Sequence, residues 1–102
     1  MKRFNPAVSR FVYILASRPR GAIYIGSATD LRQRVAQHRE GAVEAHTRRY
    51  GIHTLVWFEC HNDPAEARLR EHRLKRWRRA WKDQLIAEVN PHWQDLTAWV
   101  PD

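Results

Sequence analysis

Two short apolar runs rich in β-branched and aromatic residues, FVYIL at 11–15 and AIYIG at 22–26, flank the turn-rich segment ASRPRG. No other pattern in the chain constrains its fold as tightly, because such a pair reads as an antiparallel hairpin. If the loop is the four residues 17–20, Ala16 pairs with Gly21 and Tyr13 falls opposite Tyr24. Side chains alternate faces along a strand, so this register puts both phenols on one face, with Cβ atoms about 5 Å apart. A loop one residue longer or shorter would send the two rings to opposite faces.

The segment ATDLRQRVAQHREG that follows predicts a helix. Thr29 or Asp30 can cap it, Gln33 lies three residues after Asp30, and Gly41 stops it. Leu31, Val35 and Ala36 form a narrow buried stripe, while Arg34 and His38, four apart, share another face near the edge of the core. GAVEAHTRRYG reads as a basic connection with room for a short helical turn, and HTLVWFEC at 53–60 as a third strand. A long helical pattern runs from Asn62 to Pro91, with Asn62 or Asp63 as cap and Pro64 in the first turn. Leu74, Trp77, Trp81 and Leu85 recur at helical spacing as an inward stripe, and a break near Arg79 and Ala80 divides the run into two helices. Asn90-Pro91 ends it, and the tail is expected to fold back through Trp93, Leu96 and Trp99. The expected fold class is α/β: a small three-stranded sheet with an antiparallel hairpin, surrounded by four or five helices. A chain of 102 residues is read as one domain, 1–102, with its core at about 10–96.

Charge narrows the class of partner. Eighteen Lys and Arg against eleven Asp and Glu leave a net charge of +7, and fifteen of the cations are Arg. The flat guanidinium fork matches phosphate oxygens two at a time, so the excess points to nucleic acid before lipid or acidic protein. RLREHRLKRWRR at 68–79 packs seven Lys and Arg into twelve residues, with Lys75, Arg76 and Arg79 among the expected phosphate contacts. Arg48, Arg49 and Tyr50 form a smaller basic and aromatic spot. One cysteine, Cys60, allows no internal disulfide and suits a reducing compartment. No apolar run approaches the length of a membrane span and MKRFNPAVSR has no signal-peptide core, so the expected location is the cytoplasm, away from membranes. Cys60 and His61 with His53 or His72 lack the spacing of a closed zinc site.

The order of these features resembles the GIY-YIG nuclease superfamily, and in particular its small single-domain bacterial members. FVY at 11–13 stands where the first motif has Gly-Ile-Tyr, and YIG at 24–26 is the second motif intact. The likeness continues through DPAEARLREHRLKRWRRAWKDQLIAEVNPHWQDL and covers roughly residues 10–96. It implies a concave catalytic site lined by Tyr13, Tyr24, Arg34, His38, Glu71 and Asn90, with Gly26 where a Cβ would crowd the site and the backbone turns tightly. Ser27 stands where some repair-type members have Lys, as in the phage homing type; Gly26 and Ser27 are then the expected floor of a phosphate site at a helix N-terminus.

The resemblance implies hydrolysis of a phosphodiester. Glu71 is the expected protein ligand for Mg²⁺ or Mn²⁺, a hard cation that keeps several waters, and Arg34 suits the non-bridging oxygens. A tyrosine has an ordinary pKa near 10, so a phenolate at neutral pH needs about 4 kcal/mol of stabilisation. His38 needs no such shift. Tyr13 is therefore expected to touch the attacking water as base or relay with His38 accepting the proton behind it, and Tyr24 to orient water or phosphate.

Read singly, each residue has an ordinary structural explanation. The tyrosines are strand aromatics, Arg34 and His38 a solvated helix face, Glu71 an ion-pair partner of Arg68 or Lys75, and Asn90 a helix stop. Their joint occurrence in order favours the enzyme: a metal-dependent endonuclease acting on DNA in repair, recombination or processing of structured DNA. RNA as substrate and the oligomeric state stay open. The alternative is a nucleic-acid-binding module of the same fold with little or no hydrolytic activity.

Overall fold

The structure, a computed structural model, describes residues 10–41 and 45–101. The expectations placed on residues 1–9, and on 42–44 of the basic connection, lie outside them. In chain order the elements are β1 (Arg10–Ala16), β2 (Ile23–Ala28), α1 (Leu31–Arg39), α2 (Ala45–Tyr50), β3 (Thr54–His61), α3 (Pro64–Arg76) and α4 (Arg79–Val89), then a 3₁₀ turn at Thr97–Trp99. This is the expected α/β class, an antiparallel three-stranded sheet with four α-helices.

The strand order is β2-β1-β3, so β1 is central and its residues Phe11–Ala16 are all buried. The two faces of the sheet feed separate cores. Val12, Ile14, Ala16 and Ile25 pack with Ala67, Leu74 and Ile86 of α3 and α4, and with Trp93. Phe11, Tyr13 and Leu15 pack with Leu31 and Val35 of α1, with Ile52, and with Val100 from the tail. Along β3 the register slips between Ile14↔Trp57 and Leu15↔Leu55, leaving Val56 as the extra residue of a bulge.

The hairpin corrects the expected register. Ala16 pairs with Ile23, not Gly21, and Tyr13 lies opposite Gly26 while Tyr24 lies opposite Leu15. The loop is two residues longer because it builds its own turn: Gly21 N–H donates to the Arg18 carbonyl and Ala22 N–H to Ser17 Oγ. A shift of two preserves the alternation, so both phenols still share a face, now as diagonal neighbours with ring centroids 6.3 Å apart.

Capping places the helices. Asp30 accepts from the N–H of Gln33 at the start of α1, and Gly41, at φ +71°, takes the left-handed conformation that ends it. Asp63 caps α3 with Pro64 next, as expected. The break between α3 and α4 falls at Trp77–Arg78, two residues before the expected site. Three further expectations are corrected. Ala36 is exposed, and His38 takes its place in the buried stripe of α1. Trp81 is 52% exposed and Ile86 fills the core of α4 instead. Trp93 is buried and Leu96 half-buried as expected, but Trp99 is 75% exposed and Val100 anchors the tail in its stead.

Candidate active site

β1, β2 and α1 bring Tyr13, Tyr24 and His38 into one group. Tyr13 and His38 are fully buried, and the Tyr13 hydroxyl lies 3.1 Å from His38 Nε2. The Tyr24 and His38 rings are 5.1 Å apart between centroids, so the three rings form one contact set. His38 Nδ1 lies 3.0 Å from Thr47 Oγ1 of α2, and Thr47 is buried too. A lone threonine in a basic segment gives no sequence signal; only the meeting of α1 and α2 shows it.

Gly26 explains itself at this point. A Cβ there would meet the Tyr13 hydroxyl at 2.6 Å, its ring carbon at 2.8 Å and the Tyr24 ring at 3.0 Å. The requirement is for space: β2 continues through Gly26 to Ala28, so the expected tight turn and the helix N-terminus under Gly26 and Ser27 are both corrected. Gly26→Ala is expected to cost about 1–3 kcal/mol through overpacking and to displace one or both tyrosines. Chemical denaturation checks the first effect, and a loss of cleavage beyond what unfolding explains checks the second.

The environment of Tyr13 sets its protonation. Burial pushes the phenol well above its ordinary value, the neighbouring Tyr24 hydroxyl and the Glu71 charge add to this, and the Arg34 guanidinium opposes it by charge and hydrogen bond. Burial outweighs the guanidinium, so Tyr13 is a neutral phenol at neutral pH. Arg34 is half-buried beside it, one turn before His38 on α1.

Glu71 comes from the other side of the sheet. Tyr24, Gly26 and Ala28 face α1, whereas Ile23, Ile25 and Ser27 face α3, and it is Ser27 that hydrogen-bonds Glu71. Lys75 Nζ lies 2.7 Å from Glu71 Oε2, and the Glu71 side chain is 19% exposed. Burial works against ionisation, yet the hydrogen bonds from Lys75 and Ser27 and the charges of Lys75 and Arg10 together hold this carboxyl below its ordinary value. Arg10 also reaches Ser27 Oγ, Nε to Oγ 3.5 Å. Arg10 was not foreseen as a site residue; its only sequence signal was a cation immediately before the strand aromatic Phe11.

A depressed carboxyl contributes stability that is fully present above its ordinary pKa and is lost as pH falls through the lower folded-state value. Glu71→Gln should therefore flatten the pH dependence of the unfolding midpoint between about pH 5 and pH 3, and leave its slope above pH 6 unchanged. Urea melts across that range measure it.

A hard cation fits Glu71: one ionised, partly exposed carboxylate beside hydroxyl groups, with no group of three His, Cys, Asp or Glu among the described residues. Such an ion takes one or two carboxylates and keeps its waters.

Asn90 stands apart from this group. Its Nδ2 donates to the Val56 and Gln94 carbonyls at 3.0 and 2.8 Å, and its Oδ1 accepts from Gln94 N–H at 3.0 Å. It lines a cleft of about 470 Å³ with Trp57, Leu96 and Trp99, whereas Glu71 lines a groove with Arg68 and His72. The bonds formed by Asn90 tie the end of α4 to β3 and the tail.

The expected phosphate contacts divide. Arg76 is exposed, and so are Arg48, which donates to the Gly41 carbonyl, and Arg49, whose guanidinium lies 5.6 Å over the Tyr50 ring. Lys75 is committed to Glu71, and Arg79 pairs with Asp83 at 2.7 Å and donates to the Gly21 carbonyl. Arg79 therefore fastens α4 to the hairpin.

Comparison with known proteins gives the family of this fold. Residues 9–84 match the model of the GIY-YIG catalytic domain. A UPF0213 protein of Haloquadratum walsbyi is 36% identical over 78 residues, 76% of this chain and 86% of that protein. A UPF0213 protein of Aeromonas hydrophila is 32% identical over 83 residues, 81% of this chain but 60% of that longer protein. The solution NMR structure of a UPF0213 protein from Bacillus halodurans superposes with a TM-score of 0.51 at 30% identity, covering 80% of this chain and 86% of that one. With its paired tyrosines, the glycine that makes room for them and most of its length in register with that domain, this chain belongs to the GIY-YIG nuclease family.

Proposed function

We propose that this protein is a metal-dependent endonuclease that hydrolyses phosphodiester bonds in DNA, acting in the cytoplasm on structured substrates in repair, recombination or branch processing. The observation that carries the reading is the Tyr13–His38 contact at 3.1 Å, with Tyr24 against both rings and with Arg34 and Glu71 close enough for their charges to act on the phenol.

In this reading water attacks phosphorus and the bond to the 3′ oxygen breaks. Because Tyr13 starts as a neutral phenol, it acts as a relay: its oxygen takes the water's proton while its own proton passes to His38 Nε2. The tautomer that allows this keeps the Nδ1 proton directed at Thr47 Oγ1, which fixes the ring for the transfer. Arg34 neutralises charge gathering on the non-bridging oxygens. Tyr24 orients the water or the phosphate. A divalent ion held by Glu71 supplies Lewis acidity at the phosphate and the leaving oxygen when bound. Asn90 supports the site from a distance by holding α4 and the tail in place.

The test is a panel of single-stranded, duplex, flap and branched DNA and RNA, each with Mg²⁺ and with EDTA. Cleavage of a structured DNA that EDTA abolishes is expected. Tight binding with no metal-dependent product on any substrate would replace this reading with a binding module.

A further inference from the structure

Helices α3 and α4 meet at an elbow where the most basic stretch of the chain lies beside an uncovered indole. Arg79 pins this elbow to the hairpin by donating to the Gly21 carbonyl, and Lys82 Nζ donates to the Lys75 carbonyl at 3.3 Å across the bend. Gly21 precedes Tyr24 by three residues, which span at most about 10 Å. Glu71 and Arg76 are five residues apart on α3, a rise of about 7.5 Å. The first route puts the elbow within a few nucleotides of the tyrosine group, and the second within a few of Glu71.

Trp81 is half exposed, with the Arg78 guanidinium 5.0 Å over its ring and Trp77 edge-on at 6.1 Å and 86°. Those contacts hold the indole in one orientation without covering it. Beside it a groove of about 280 Å³ is lined by Trp77, Trp81, Gln84, Leu85 and Glu88. Charge points to the occupant. Among the described residues, Lys75 and Arg79 pair with carboxylates, but Arg68, Arg73, Arg76 and Arg78 pair with none and are exposed. Glu88 sits in the groove and repels phosphate, which directs a backbone toward the Arg76 and Arg78 end.

We propose that this elbow is a docking platform for an unpaired base, stacked on Trp81 in the groove, with its flanking phosphates on Arg78 and Arg76. An aromatic face takes any base, and stacking is worth about 1–3 kcal/mol per base. The platform rests on the nuclease reading and deepens it. A strand that stacks here while its phosphate reaches the tyrosine group must be unpaired close to the cut, so single-stranded or flapped nucleic acid is the substrate class.

The experiment uses Glu71→Ala protein, which keeps the probes intact, and anisotropy of a labelled single-stranded 12-mer and a blunt duplex of equal length. Trp81→Leu, which keeps apolar cover over the elbow but removes the flat ring, should weaken single-strand binding about tenfold and change duplex binding less than twofold. Trp81→Phe should restore most of the single-strand affinity. Equal weakening on both probes, no weakening on either, or a dimer in sedimentation that depends on Trp81 would overturn the platform. Absence of binding to both probes by the Glu71→Ala protein and by wild-type protein in EDTA alike would overturn the nucleic-acid reading itself, which separates the two failures.

Discussion

Tyr13→Phe should slow single-turnover cleavage by about 10²- to 10⁴-fold, the usual worth of a positioned acid–base group. The ring stays, so the packing with Phe11, Leu15 and Val35 is retained, and what disappears is the hydroxyl 3.1 Å from His38 Nε2. That removes one hydrogen bond from a buried histidine, at a cost of about 0.5–1.5 kcal/mol in stability. The two effects are separable: denaturant melts give the second, and rates measured well below the melting temperature give the first. A neutral phenol acting as relay also predicts that the wild-type rate does not keep rising through the alkaline range as a growing phenolate population would make it. Near-normal cleavage by Tyr13→Phe would remove Tyr13 from the chemistry.

Glu71→Ala should abolish metal-dependent cleavage, by about 10³-fold or more, since a bound divalent ion stabilises transition-state charge by several kcal/mol. Binding should survive. The substitution removes one negative charge from a chain of net charge +7 and frees Lys75 and Arg10 from their shared partner. Affinity for uncleaved DNA should therefore hold or rise slightly, with a steeper salt dependence. Titration of Mn²⁺ into the two proteins gives a readout independent of activity: the wild type binds the ion and Glu71→Ala does not. Loss of DNA binding in step with loss of cleavage would mean that Glu71 holds the fold or the substrate instead.

Much of this was legible in the sequence, and the exceptions have physical reasons. Tyr13 and Tyr24 were placed on one face although their pairing was wrong by two residues, because alternation depends only on whether the shift is even. The loop length was hidden because the side chain of Ser17 and the turn closed by Gly21 extend it, and neither shows in an apolar pattern. Asp30, Gly41, Asp63 and Pro64 acted where they stood, since caps are local chemistry. Trp81 and Trp99 were misplaced for the opposite reason. Helical spacing shows which residues share a face, but not whether another element arrives to cover it. The site itself was half visible. Spacing puts Arg34 and His38 on one face of α1 and the family resemblance puts them in the site, whereas Thr47 behind His38 and the approach of Glu71 from the opposite face of the sheet need the tertiary fold. Asn90, read singly as a helix stop and through the resemblance as a site residue, is a buried clamp between α4, β3 and the tail, which again only the tertiary fold shows.

The central claim is that Tyr13, His38 and Glu71 form one hydrolytic centre. The most direct test is single-turnover cleavage of an end-labelled DNA flap by wild-type protein in excess, with Mg²⁺ and with EDTA, beside Tyr13→Phe at the same saturation. A metal-dependent product from the wild type, lost in EDTA and slowed at least a hundredfold by Tyr13→Phe, is the predicted result. A product that persists in EDTA, or that Tyr13→Phe forms at the wild-type rate, would contradict it.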